Sequence, residues 1–323
     1  MKLRGESRAI YYKISISGGC SKKNNNILLK IGEICLHFSA YYGTITQVIL
    51  MRDYTEHERC DSLEINGYHI WQNKKLFCFG IDAVLLSSFV KLNKNDSVVD
   101  LCSGTGILPF LFLARSQVEN VHAVEINAYM CSLMSRSAKL NNCENGLNII
   151  NADLNKLDDK LTSGSFDVVT VNPPYEKAGC GIACSQPERE AARREIFCTL
   201  DDVVRASARL LKHRGRLYIV HRPSRLCDLM CSLRANGLEP RLLKLVYSSI
   251  DTKPVLILAE AVKGAGEDLK VDTPVIIYNK DGELTDQVRQ MYGLYRRNVN
   301  GHYCSISGSN TYRKFIRYFK KMY

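Results

Sequence analysis

Between residues 97 and 261 the chain alternates short apolar, β-branched runs with longer stretches of helical periodicity. The runs fall at 97–101, 121–126, 148–151, 167–171, 216–220, 242–247 and 255–261. Each has strand length and strand composition. Between the early runs, Ile107–Ala114 and Ala128–Leu140 suit helices. Such alternation predicts a mainly parallel sheet with helices on both faces. The last two runs are separated only by 248–254, too short for a crossover helix, so they read as a hairpin with a final antiparallel strand. The expected fold class is therefore α/β, with seven mostly parallel strands. No apolar stretch is long enough for a membrane-spanning helix, and no internal repeat is seen.

Charge separates this patterned region from its flanks. Residues 1–50 hold seven Lys/Arg against two acids, and 294–323 hold seven against none. Residues 51–293 carry 30 basic and 31 acidic residues, so the +11 formal charge belongs to the two ends. Three segments are expected: a basic N-terminal extension (1–50), a patterned domain (51–293) and a basic, aromatic tail (294–323). The first lacks clean periodicity, which fits an upstream start that appends non-native sequence. Its most apolar run, 27–38, is broken by Lys30 and Glu33 and makes a poor secretory signal. The tail sets Tyr312, Phe315, Ile316, Phe319 and Met322 among Arg313, Lys314, Arg317, Lys320 and Lys321. As a helix it would suit RNA or an anionic membrane surface; a frayed basic tail is the plainer alternative. The thirteen cysteines include no Cys-x-x-Cys pair. They read as reduced thiols of a cytoplasmic protein, without a zinc site or other metal.

The chemistry concentrates at the ends of the apolar runs. Val98-Val99-Asp100-Leu101-Cys102-Ser103-Gly104-Thr105-Gly106 ends a buried strand in a carboxylate, then turns on small residues before an apolar helix. The third glycine of a dinucleotide fingerprint is missing. Asp100 would serve a pyrophosphate poorly but would stabilise the cationic amino-acid end of S-adenosylmethionine. Glu125, ending the next run, can accept from both hydroxyls of a ribose. Asp153 follows the third and could accept from an adenine amino group. An N-cap or solvated loop role is the alternative for either acid alone. Asn172-Pro173-Pro174-Tyr175 follows the fourth run. Its prolines fix the chain, so that the Asn172 amide and the Pro173 carbonyl can accept from one exocyclic amine. Tyr175 offers a flat face for a base removed from its stack.

In these motifs the sequence resembles the S-adenosylmethionine-dependent Rossmann-like methyltransferases. More narrowly, it resembles the bacterial tRNA1(Val) (adenine-37-N6)-methyltransferase family. The closer likeness is carried by Phe77-Cys78-Phe79-Gly80-Ile81-Asp82-Ala83-Val84-Leu85-Leu86, by 210–223, by Gly237-Leu238-Glu239-Pro240 and by 277–285. It covers roughly 57–293. Where the family has Ala-Arg-His-Glu, this chain reads Ala192-Arg193-Arg194-Glu195. The resemblance implies a seven-stranded Rossmann-like methyltransferase sheet and methyl transfer to the N6 amine of a tRNA adenosine. Asp100, Gly104, Gly106, Glu125 and Asp153 would bind the cofactor, with Cys102 a small space-filler in the turn. Asp82 would lie over the methionine end of the cofactor and also cap a helix over 83–90. Asn172 and Pro173 would hold the target amine, beside Pro174, with Tyr175 stacking on the base.

A tRNA partner requires phosphate contacts beyond the base. Residues 189–244 carry thirteen Lys/Arg against six acids. Arg193, Arg194, Arg222 and Arg225 are the expected RNA-binding residues; Arg205, Arg209 and Lys212 read as ordinary helix surface. Two other functions share the motifs: a protein-glutamine N5-methyltransferase acting on release factors, and a non-catalytic RNA-binding protein that keeps the fold.

Overall fold

A computed structural model describes residues 57–76, 78–175 and 198–293, and the backbone of 295–297 and 303–305. It opens with an antiparallel hairpin, β1 (Glu58–Ser62) and β2 (His69–Asn73), which has no periodic signature in the sequence. Helix α1 (Ile81–Phe89) leads into β3 (Val98–Leu101), α2 (Ile107–Ala114), β4 (Val121–Glu125), α3 (Ala128–Leu140), β5 (Leu147–Asn151) and β6 (Phe166–Val171). After the segment outside the described residues come α4 (Leu200–Leu210), β7 (Leu211–His221), α5 (Leu226–Ala235), β8 (Leu238–Tyr247) and β9 (Pro254–Lys263). Two short strands, β10 (Lys270–Val271) and β11 (Val275–Ile276), precede α6 (Asp286–Met291). A last hairpin pairs β12 (Tyr295–Arg297) with β13 (Tyr303–Ser305); the aromatic and basic residues 312–322, expected as helix or frayed chain, lie outside the described residues.

The main sheet runs β10-β8-β9-β7-β6-β3-β4-β5, with β11 also on β8. Seven of its strands are those expected, and β9 is antiparallel to both β7 and β8. The sheet reaches nine strands because β10 and β11 add to the β8 edge in parallel, each as two residues. Runs that short carry no alternation to detect. The central strands are apolar on both faces because both faces are covered. Val98, Val168, Tyr218 and Val220 face one core cluster, while Val99, Leu101, Val169, Val171, Leu217 and Ile219 face the other. That is the two-residue period of a strand. Helix α2 is buried over its whole length, as an all-apolar helix must be. Among the described residues no helix is long and apolar enough to cross a membrane.

Asp82 does not cap α1 as expected. It is the second residue of the helix, and the cap is Gly80, which has no side chain to offer. The loop before it is tied to the hairpin by Gln72, which is fully buried. Gln72 Nε2 donates to Asp61 Oδ2 at 2.5 Å, and its Oε1 accepts from Phe79 N at 3.1 Å. Truncation would remove the bond from Phe79 N to the hairpin and one donor to Asp61, which keeps its ion pair with Arg59. Gln72→Ala is expected to lower stability by about 1–3 kcal/mol, read by urea unfolding of the full chain. A loss below about 0.5 kcal/mol would show that this bond does not hold the loop.

Candidate active site

Strand register brings the predicted residues to one edge of the sheet. Leu101 of β3 lies opposite Val124 of β4 and Val171 of β6, while Glu125 lies opposite Asn151 of β5. The next residues out are Cys102 and Asn172, at the carboxyl edge of adjacent strands. Chain order reverses at β3, between β4 and β6, and open α/β sheets bind ligands in the crevice at such a switch point.

Asp100 is directly opposite Thr170 and is 1% exposed. Its Oδ1 accepts from Thr170 Oγ1 at 2.6 Å and its Oδ2 from Ser103 Oγ at 2.7 Å. Burial nevertheless pushes its pKa up to about 7, despite these two donors and with a smaller push from Glu125. Glu125 is also buried, and burial raises its pKa too. It accepts from Gly104 N and Asn127 N, each at 2.8 Å, which braces the glycine turn against the tip of β4. Each carboxylate oxygen has a second lone pair for a ligand donor. Asp153 sits past the end of β5, where Oδ1 accepts from Asn155 N at 2.9 Å.

The turn between them is left-handed at Cys102, Gly104 and Gly106, with φ of 56°, 57° and 87°. Glycine is required at 106, since a Cβ there would lie 2.6 Å from Met134 Cγ. Cys102 is the residue that departs from this rule. Its thiol packs toward Cys198, and that neighbour, followed by burial, raises its pKa well above the ordinary thiol value. A protonated thiol is consistent with filling space and not with nucleophilic attack. No disulfide joins the described cysteines, and no group of three or more His, Cys, Asp or Glu among the described residues could hold a metal ion.

Beyond the acids, Asn172 is half-buried and Pro173 buried, with Pro174 and Tyr175 at intermediate exposure. Tyr175 Oη lies 2.5 Å from Asn172 Oδ1 and 2.7 Å from Asp82 Oδ2. Its ring rests 5.4 Å from that of His221, and the Arg222 guanidinium lies 5.3 Å above it. His221 is fully buried, and burial, with Arg225 and Arg222 nearby, lowers its pKa to about 3. The ring stays neutral, so its Nδ1 accepts from Arg222 N at 2.9 Å.

The basic stretch is less available than its composition suggests. Arg225 pairs with Asp228, Lys212 with Asp167, Arg216 with Asp96, Arg234 with Glu239, Arg241 with Asp268 and Lys244 with Asp272. Arg205 and Arg209 pair with helix and loop acids, as surface residues. Arg193 and Arg194 lie outside the described residues. The sequence did not mark Thr170, Ser103 or the ring contact of His221. Thr170 had one signal, a lone hydroxyl in an apolar run two residues before Asn172.

Residues 79–229 match the family described as "Methyltransferase small domain". The chain is 28% identical over 155 residues to a tRNA1(Val) (adenine(37)-N6)-methyltransferase of Histophilus somni, spanning 47% of this chain and 64% of that one. A relative of the same name from Bacteroides fragilis is 22% identical over 232 residues, which are 71% of this chain and 96% of that one. The fold is shared with a "predicted O-methyltransferase" of Agrobacterium tumefaciens, at a TM-score of 0.54 and 21% identity over 66% of this chain and 95% of that one. Every described residue of the crevice, from Asp82 to Arg225, lies inside the matched segment, on a mostly parallel α/β sheet.

Proposed function

We propose that this chain transfers a methyl group from S-adenosylmethionine to the N6 amine of an adenosine in tRNA, with A37 of tRNA1(Val) as the target. One observation carries the reading. The β3–β6 register that pairs Asp100 with Thr170 puts Asn172-Pro173 one residue past the same edge, beside two buried carboxylates. The names of the Histophilus and Bacteroides relatives support the target. Residues 51–293 would be the catalytic unit, acting in the cytoplasm.

The crevice residues fit the cofactor's chemistry. Two buried carboxylates with raised pKa favour a cationic, hydroxyl-bearing ligand, and the turn bears no side chain at Gly104 or Gly106. Asp100 would hold the ammonium end, Glu125 the ribose hydroxyls and Asp153 the adenine amino group, with Cys102 filling the turn. When bound, S-adenosylmethionine supplies a methyl group already activated by its sulfonium. Asn172 Oδ1 and the Pro173 carbonyl would accept the two amine hydrogens, drawing the nitrogen toward tetrahedral geometry and turning its lone pair outward. Positioning supplies the acceleration. Tyr175 would stack on the base, and Arg193, Arg194, Arg222 and Arg225 would meet phosphates.

Purified protein with labelled S-adenosylmethionine is expected to methylate tRNA that lacks the mark, with the label in N6-methyladenosine on nucleoside mass spectrometry. Labelling of a release factor and not of tRNA would sink this reading in favour of glutamine N5-methylation. Asn172→Ala is expected to lower turnover by about 10²-fold or more, with cofactor binding by calorimetry retained. Normal turnover would remove Asn172 from the reaction.

Asp100 also sets a pH dependence. Its pKa is raised to about 7, so ionising it costs the ligand-free fold stability as pH rises through that value, and binding a cation requires the ionised form. From about pH 7 to 5.5, where the ligand's α-amino group is mostly protonated, cofactor affinity is expected to fall, approaching about tenfold per unit at the acid end. Asp100→Asn should bind weakly and with little pH dependence over that range. An affinity in the unmodified protein that does not vary with pH would show that Asp100 does not meet the cation.

A further inference from the structure

The hydroxyl of Tyr175 faces two acceptors, Asn172 Oδ1 at 2.5 Å and Asp82 Oδ2 at 2.7 Å, but has one hydrogen to donate. On the reading above, Asn172 Oδ1 must accept from the target amine. A hydroxyl seated there competes with the substrate. Asp82 is placed to relieve that competition. It is 2% exposed, in the first turn of α1, and its Oδ1 accepts from Ala83 N at 2.9 Å, which fixes the carboxylate. A Cβ on residue 80 would lie 2.9 Å from that oxygen, so Gly80 leaves the space this orientation needs. A carboxylate accepts more strongly than an amide oxygen. The Tyr175 ring is held independently, by the contacts with His221 and Arg222, so its hydrogen can change acceptor while the ring stays in place.

We propose that Asp82 is a positioning residue that takes the Tyr175 hydroxyl hydrogen when substrate enters, freeing Asn172 Oδ1 for the target amine. The inference rests on the role of Asn172 given above. It assigns to Asp82 an action through Tyr175, in place of the cofactor contact expected for its motif. Removing the carboxylate then leaves the hydroxyl on Asn172, and removing the hydroxyl as well should undo the damage.

The test uses the full chain, S-adenosylmethionine and unmodified tRNA. Asp82→Ala is expected to lower kcat about tenfold or more while cofactor affinity changes less than about twofold. Adding Tyr175→Phe to Asp82→Ala should raise kcat back to the level of Tyr175→Phe alone. Losses that simply add in the double variant overturn the proposal. So does a cofactor affinity that Asp82→Ala weakens equally with and without the Tyr175→Phe substitution. A second readout needs no RNA. In protein labelled with 3-fluorotyrosine, the Tyr175 resonance, assigned by its loss in Tyr175→Phe, should move in Asp82→Ala. An unmoved resonance overturns the proposal whatever the activity, whereas an inactive parent protein with a moved resonance overturns the tRNA reading.

Discussion

Burying the Asp100 carboxylate is the constraint around which the crevice is arranged. A carboxylate removed from water is costly unless donors replace its hydration. Here they are two hydroxyls, Ser103 from its own turn and Thr170 from the neighbouring strand. The second donor fixes the β3–β6 register, because a slip of one residue would carry Thr170 to the opposite face of the sheet. The same register puts Asn172 one residue beyond Val171, opposite the start of the glycine turn. Asp100 and Asn172 are therefore set at one edge by the β3–β6 register, to which the Thr170–Asp100 hydrogen bond contributes across the two strands.

Glu125 does comparable work on the other side. It accepts the Gly104 amide, so the left-handed turn is held to β4 by a side chain that is itself a candidate ligand. The turn then needs no third glycine for a close approach of helix to sheet: Gly106 caps α2, and Met134 occupies the space behind it. Cys102 shows what the turn costs. A non-glycine residue at positive φ carries strain of about 1 kcal/mol, and its side chain packs against the cluster that contains Cys198.

Much of this was legible in the sequence. Strands buried on both faces give continuous β-branched runs, and acids at their ends stand out against apolar surroundings; Asp100 and Glu125 were found that way, and β9 from the short 248–254 connection. Other features follow from pairing, which a linear pattern does not encode. Thr170 gains its role from Asp100, seventy residues earlier. The strands β10 and β11 exist because β8 offers them an edge. The motif singles out Asp82, but its partner could not be read from it, since Tyr175 is ninety-three residues away.

Charge was the least dependable guide, and the reason is the same. A count of basic residues treats each as available, yet folding brings acids from distant parts of the chain beside Lys212, Arg216, Arg241 and Lys244. Ion pairs at partly exposed positions contribute little stability, but they do cancel the local field that would attract a phosphate. Arg222 differs in kind, because its guanidinium lies on an aromatic ring. On the proposed reading, a base and its phosphate would both have to be met beside Tyr175, where the Arg222 guanidinium lies, so position at the crevice would matter more than number along the chain.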